Sequence, residues 1–237
     1  MDDDDESTEL YLNYKTEFKA TRIIDNVMYP TFFTLTSDVW FNMDHLDPQD
    51  RDYQLNLTLI KIDFFYKNLI DNSIMYGALN DWADGFLLKN NEIQADNVLV
   101  KCPLEPSDDH LAMLFQSKMN SLSKNNLVFG GVTITSNNSR GLSFTFVGDA
   151  TESLPDMTEW IGDTTYFKEP WWIRDDSSTM DITPLPDADL NDKPSFAFDL
   201  DFLGESLKPE NIEKFTNNVI KPKFRPYVVK NEDEDDT

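Results

Sequence analysis

The chain has 237 residues, of which 44 are acidic and 20 are basic, so its formal net charge is −24. This charge repels phosphate and excludes a broadly basic surface for binding nucleic acid directly. The aromatic content of 13% is too high for a generically disordered acidic chain. No apolar run approaches the ~18 residues of a membrane span, and the acidic start lacks the features of a secretory signal. We therefore expect a folded cytoplasmic protein, of a cell or of an infected host.

The negative charge is concentrated in three places. Residues 2–6 and 232–236 each contribute −5, and they predict acidic tails at residues 1–7 and 231–237. Residues 149–205 contain 15 acidic side chains against three basic ones, which gives −12. The rest of the chain is therefore close to neutral.

Hydrophobic periodicity predicts strands and one helix in the first 82 residues. Strict alternation predicts a strand over residues 10–18, and a stretch rich in Thr, Phe, Val and Trp predicts a second over 31–41. Alternation of leucine with Asn and Thr over 55–59 indicates a third strand. Apolar residues then recur every four positions from Tyr66 to Trp82, which predicts a helix.

The clearest local patterns lie between residues 97 and 147. A strand is predicted over 97–102, followed by a helix over 108–122 with Ser107 as its N-cap. A β-hairpin follows, with strands at 127–135 and 142–147. This βαββ order is typical of α+β folds.

Residues 149–205, which we call the acidic segment, are too aromatic for a simple linker. The segment predicts a short helix over 155–161 capped by Ser153, and a strand over 195–203. A last helix is predicted over 209–220 and a last strand over 224–229. The sequence therefore predicts a single α+β domain over residues 8–230, with a substantial antiparallel sheet, about three helices and an ordered acidic segment rich in Pro and Trp.

Few residues fit a catalytic or metal-binding pattern. His45 and His110 each lie beside aspartates, but we favour a polar turn and a first-turn helix residue over a general base. Residues 187–192 begin like a calcium loop but lack the Gly and Glu that such a loop needs. Asp199 and Asp201, with Glu17 and Lys19, offer at most a weak nuclease-like pattern. One cysteine and two histidines make zinc improbable, and we expect no cofactor.

Residues 169–176, with the sequence EPWWIRDD, are the most unusual stretch. Adjacent residues on a strand point to opposite faces, so one of Trp171 and Trp172 could enter the core while the other stays exposed beside Arg174 as an interface anchor. The alternative, which we favour, is that both tryptophans pack locally and Arg174 bridges a nearby carboxylate.

These patterns favour a non-enzymatic protein that binds, and inhibits, a basic nucleic-acid-binding protein. Duplex DNA carries one charge per ~1.7 Å of its axis, and spaced carboxylates can imitate that field, as in anti-defence or immunity proteins. The alternatives are a metal-dependent hydrolase that uses clustered carboxylates, and a viral structural or assembly protein. The predicted partner-binding residues all lie in the acidic segment: Glu152, Asp156, Glu159, Asp163, Trp171, Trp172, Arg174, Asp175, Asp176, Asp187 and Asp189.

Overall fold

The computed structural model describes residues 12–42, 46–90, 97–162, 165–184 and 186–207. These residues form a six-stranded mixed β-sheet and four α-helices, which confirms the predicted α+β class. In this part of the chain no helix combines the length and apolar character needed to cross a membrane. The predicted tails, the predicted helix over 209–220 and the predicted strand over 224–229 lie outside the described residues.

The sheet is antiparallel in one half and parallel in the other. Its strands are β1 Leu12–Ile24, β2 Val27–Phe41, β3 Ser73–Gly77, β4 Leu99–Cys102, β5 Leu127–Ser136 and β6 Ser143–Val147. They lie in the order β4-β3-β1-β2-β5-β6. The β1–β2, β2–β5 and β5–β6 pairs are antiparallel, whereas β3 lies parallel to both β1 and β4. The predicted strands over 31–41 and 97–102 and the hairpin are confirmed, as is the described part of the strand over 10–18.

Four helices accompany the sheet in the described residues: α1 Pro48–Phe64, α2 Asp81–Lys89, α3 Asp108–Leu122 and α4 Met157–Trp160. Helix α3 has the predicted bounds, and its apolar side chains Leu111, Leu114, Phe115, Met119 and Leu122 are buried in the core. Ser107 precedes α3 as predicted, but its hydroxyl bonds to Nδ1 of His110 at 2.8 Å and makes no capping bond to the backbone.

Two hydrophobic clusters cover opposite faces of the sheet. The larger one joins β1, β2 and β5 to α1 and α3, and it includes Met75 of β3. The smaller one packs Ile74 and Tyr76 of β3 against Ala83 and Leu87 of α2. Successive strand residues point to opposite faces, so β3 is buried on both sides and α2 lies on the face opposite α3.

The prediction of a strand over residues 55–59 is wrong, because this stretch is part of α1. The alternation covers only five residues. Burial instead follows a helical spacing, with Leu57, Thr58, Lys61, Ile62 and Phe65 turned inward. A short alternating run is therefore overridden by the longer helical pattern around it.

The prediction of one helix from Tyr66 to Trp82 is also wrong. A π-helical turn over Phe65–Ile70 ends at Asp71, and Asn72 adopts a φ of +63°. The chain then enters β3, whose five residues are all buried. A fully buried parallel strand has a nearly continuous apolar sequence. The recurrence of apolar residues every four positions from Tyr66 to Trp82 therefore arises by chance and does not indicate a helix.

The acidic segment has less regular structure than predicted. The strand over 195–203 is wrong: Asp199 makes only an isolated bridge with Asp176, and Asp201–Leu207 is a 3-10 helix. The helix predicted over 155–161 is only the single turn of α4 in the structure. Its cap is the Asp156 side chain, which accepts the N–H of Glu159, and Gly162 follows it with a φ of +96°.

The ring of Trp40 leaves no room for a side chain at Gly130. The register between β2 and β5 shifts beyond Ser37, where the two glycines of β5 lie opposite Asp38. A Cβ atom at Gly130 would lie 1.9 Å from a ring carbon of Trp40. The indole therefore lies directly over the glycine backbone.

We expect Gly130→Ala to destabilise the protein by about 1–3 kcal/mol, because the new methyl group must displace the indole. In urea unfolding, the penalty should fall when the same change is made in a Trp40→Ala background. Gly131→Ala is the matched control, since its Cβ would meet nothing closer than 3.5 Å. Equal penalties in both backgrounds would show that the indole is not the cause.

Candidate functional site

The acidic segment forms one wall of a broad cleft of about 930 Å³. The opposite wall is the C-terminal half of α3, including Gln116 and Asn120, with Lys124 just beyond the helix. Asp149, Glu169 and Asp199 contribute carboxylates to the cleft. Of the residues predicted to bind a partner, Arg174, Asp175 and Asp176 line this concave polar surface.

A buried lysine attaches the acidic segment to the rest of the fold. The Lys118 side chain is fully buried in the middle of α3. Its ammonium group donates hydrogen bonds to the main-chain oxygens of Trp171 at 2.9 Å, Arg174 at 2.8 Å and Asp176 at 2.8 Å. An ammonium group has three donors, so each has a carbonyl acceptor.

Two opposing effects act on the pKa of Lys118. Loss of hydration lowers the pKa of Lys118 to about 7, while the Asp176 carboxylate, 3.8 Å away, acts in the opposite direction. Partial burial acts to raise the pKa of Asp176, but the charges of Lys118 and Arg174 hold it below its ordinary value. Asp176 is therefore ionised at neutral pH.

Both tryptophans of the EPWWIRDD stretch are buried, so neither is an exposed interface anchor, and the local packing that we favour from the sequence is confirmed. Pro170 leads into a 3-10 turn over Trp171–Ile173 rather than a strand, and side chains on such a turn do not alternate between two faces. The indole N–H of Trp171 donates to the Lys101 oxygen of β4 at 2.9 Å, and Trp172 packs edge-on against Trp160 at 5.1 Å. Both predicted anchors therefore belong to the core.

Arg174 is nearly buried and is held by carboxylates, as the alternative interpretation expected. Its guanidinium donates to Asp181 at 2.6 Å and to Asp176 at 3.0 Å, and it lies 3.6 Å from the centre of the Phe167 ring. Asp181 also accepts the indole N–H of Trp160 and the main-chain N–H of Trp171. This network stabilises the segment from within and leaves Arg174 little surface for a partner.

Thirteen of the 15 acidic residues of the segment therefore divide into two groups. The first group is paired with basic side chains: Asp175 with Lys124, Asp176 and Asp181 with Arg174, and Asp201 with Lys61 and Lys124. The second group is exposed: Asp149, Glu152, Asp156, Glu159, Glu169, Asp187, Asp189, Asp192 and Asp199. Of the predicted partner-binding acids, Glu152, Asp156, Glu159, Asp187 and Asp189 belong to the exposed group, and Asp163 lies outside the described residues.

Several exposed carboxylates are held in position by their own turns. Asp149 accepts the N–H of Thr151 at 2.9 Å, Asp189 that of Asn191 at 2.9 Å, and Asp199 that of Asp201 at 2.7 Å. The hydroxyl and N–H of Thr151 also lower the pKa of Asp149. These turns present carboxyl groups outward in a fixed geometry.

The residues considered for catalysis do not converge. His110 contacts Ser107 and the Glu105 oxygen, and His45 lies outside the described residues. The bond from Lys61 lowers the pKa of Asp201 and engages its carboxylate, so Asp199 and Asp201 do not form a free pair. In the described ranges, no three His, Cys, Asp or Glu side chains are grouped so that they could hold a metal ion.

The sequence interpretation missed the buried cations. Lys118 occupies the same face of α3 as Leu111, Leu114, Phe115 and Leu122, so a lysine on an apolar stripe was the available signal. Arg22 is a second case: it forms a buried ion pair with Asp108 at 2.5 Å, and Ser136 donates to the same carboxylate. Alternation places Arg22 on the core face of β1, in register with Phe18.

No protein-family model matches this chain, and no curated protein shows significant similarity to it.

We expect Lys118→Met to destabilise the protein by about 3 kcal/mol, because three buried carbonyl groups lose their donor. Hydrogen exchange should show the largest loss of protection over residues 169–181. The matched control is Lys67→Met, which removes an exposed lysine paired with Asp63 within a helix and should change stability by less than about 0.5 kcal/mol. Unchanged stability of Lys118→Met in urea unfolding would contradict the anchoring role.

Stability should also depend on pH through Lys118. The folded protein binds this proton less tightly than the unfolded chain, whose lysines titrate near 10.5. Raising the pH from 7 to 8.5 therefore favours folding, by about 1 kcal/mol per pH unit. The rise should persist in Lys67→Met and disappear in Lys118→Met, and urea unfolding at several pH values measures it. The same slope in both variants would assign the titration to another group.

Proposed function

We propose that this chain is a non-enzymatic acidic protein that binds a basic protein partner through the exposed carboxylates of the acidic segment. The observation that supports the proposal is the division of that segment into paired and unpaired acids. None of the nine acids in the second group forms an ion pair with another residue in the described part of the chain.

The division separates charge used for folding from charge available for binding. Lys61, Lys118, Lys124 and Arg174 offset the acids of the first group. The acids of the second group are exposed and form no ion pair with a described residue, so the repulsion between them is not offset by a paired cation. Such repulsion costs stability, so a binding role for the exposed acids explains why the segment carries them.

The proposed partner is a protein whose basic groove binds nucleic acid. Carboxylates fixed by main-chain N–H groups, as at Asp149, Asp189 and Asp199, lose little freedom when a partner binds. They resemble the regularly spaced phosphates of a nucleic acid in charge and in rigidity. A protein of this kind inhibits a nuclease, a repressor or a defence protein by occupying its groove in the cytoplasm of a cell or an infected host.

Among the described residues, neither alternative gains a supporting contact. The hydrolase hypothesis relied on Asp199 and Asp201, and Lys61 and Lys124 engage the second of these. The assembly hypothesis requires self-association or a fixed assembly partner, and the repulsion between two chains of net charge −24 opposes the first of these.

A displacement assay tests the proposal. A panel of nucleic-acid-binding proteins is loaded with a fluorescent DNA duplex, and release of the duplex is measured by anisotropy as this protein is added. We expect release from at least one panel member, weakening steeply as salt rises because screening shortens the range of the field. Displacement that is independent of salt would contradict charge mimicry.

Two variants with equal changes in charge test whether the acidic segment is the surface that binds the partner. The first neutralises Glu152, Asp156, Glu159, Asp187 and Asp189 with Gln or Asn, and Asn at position 156 keeps a good helix cap. The second neutralises Asp2, Asp3, Asp4, Asp5 and Glu6 in the same way. The first should weaken displacement about tenfold or more, and the second about twofold or less. Equal losses would mean that net charge alone drives binding.

A further inference from the structure

An exposed apolar surface lies at the end of the sheet where the parallel strands β3 and β4 finish. Its members are Leu79, Trp82, Phe86 and Leu104, which are 85%, 43%, 37% and 43% exposed. We refer to these four residues as the Leu79–Leu104 surface. Scattered apolar residues are normal on protein surfaces, whereas adjacent ones mark interaction sites.

The Leu79–Leu104 surface is rigid. The Asn80 side chain caps α2 by accepting the N–H of Ala83 at 2.9 Å, and Ala83 and Leu87 pack the helix on β3. The opposite side of α2 presents Trp82 and Phe86, whose rings stack at 5.3 Å with an angle of 4°. Stacked aromatic side chains on a fixed helix contact a partner at small entropic cost.

The surface surrounds a concavity of about 430 Å³ with an acidic rim. Asp25, Asp81 and Glu105 line it together with Leu79, Trp82 and Leu104, and no basic side chain is among its described lining residues. All three rim carboxylates are exposed, and none forms an ion pair with another described residue. An apolar centre with a rim of one charge is the anatomy of a protein-binding site.

We propose that the Leu79–Leu104 surface binds a cationic amphipathic helix of a protein partner. Apolar side chains spaced three and four residues apart on that helix cover Trp82, Leu79 and Leu104, and flanking Lys or Arg residues face Asp25, Asp81 and Glu105. A second copy of this chain is disfavoured as the occupant, because the rim carboxylates and the net charge of −24 repel it.

The Leu79–Leu104 surface is separate from the cleft that the acidic segment lines. Leu104 and Glu105 precede α3, whereas Lys124 follows it, and the 15 residues of this helix span about 22 Å. The inference therefore stands without the proposed function, and one partner can use both surfaces.

The test measures binding of two labelled peptides by fluorescence anisotropy. The first is a 14-residue Leu/Lys peptide, of roughly four helical turns, with leucines at helical spacing. The second has the same composition in an order without an apolar face. We expect the first to bind about tenfold or more tightly than the second. Equal binding of the two peptides, or no binding of the first, would overturn the proposal.

Substitutions identify where the first peptide binds. Leu79→Gln/Trp82→Gln should lose about tenfold or more in affinity. Phe32→Gln/Leu142→Gln, which removes two apolar residues that are each 63% exposed elsewhere, should bind like the wild type. Asp25→Asn/Asp81→Asn/Glu105→Gln should bind more weakly and with less dependence on salt. Circular dichroism confirms that each variant is folded.

Other outcomes assign the peptide elsewhere. Loss of binding in the five-site variant of the acidic segment, but not in Leu79→Gln/Trp82→Gln, would place the peptide on the acidic segment and overturn this inference while supporting the proposed function. A wild-type dimer in light scattering that becomes a monomer in Leu79→Gln/Trp82→Gln would show that a second copy occupies the surface, and it would also overturn the inference.

Discussion

The bonds from Lys118 to three main-chain oxygens hold the acidic segment on the α+β core. A buried ammonium group is costly unless every donor finds an acceptor. Here the acceptors come from residues 171, 174 and 176, more than 50 positions along the chain. The position of Trp171 and Trp172 in the core and the orientation of Arg174 depend on this contact. The placement of the exposed carboxylates therefore depends on it as well.

Local signals in the sequence were sufficient for the central part of the fold. Helix α3 and the β5–β6 hairpin have clean periodicity and clear turn residues, so their prediction needed no knowledge of distant partners. The strand predicted at 55–59 and the helix predicted at 66–82 failed where burial is decided by tertiary position. Residues 73–77 form a strand because β1 and β4 lie on either side of them.

The candidate site was predictable as a region but not as a set of residues. Charge counting located the acidic segment. It did not reveal which acids are neutralised, because the pairing of Asp181 with Arg174 and of Asp201 with Lys61 requires the three-dimensional path of the chain. The interface-anchor interpretation of the tryptophans failed for a related reason, since a 3-10 turn after Pro170 removes the alternation that a strand would impose.

All three acceptors of Lys118 are main-chain atoms, which every residue type supplies. Substitution of an exposed residue such as Glu169 leaves those acceptors unchanged, provided that the backbone keeps its path. The anchor therefore places little restriction on the identity of the outward side chains. A segment held in this way can change its surface over evolutionary time, following a changing partner, while its attachment to the core is preserved.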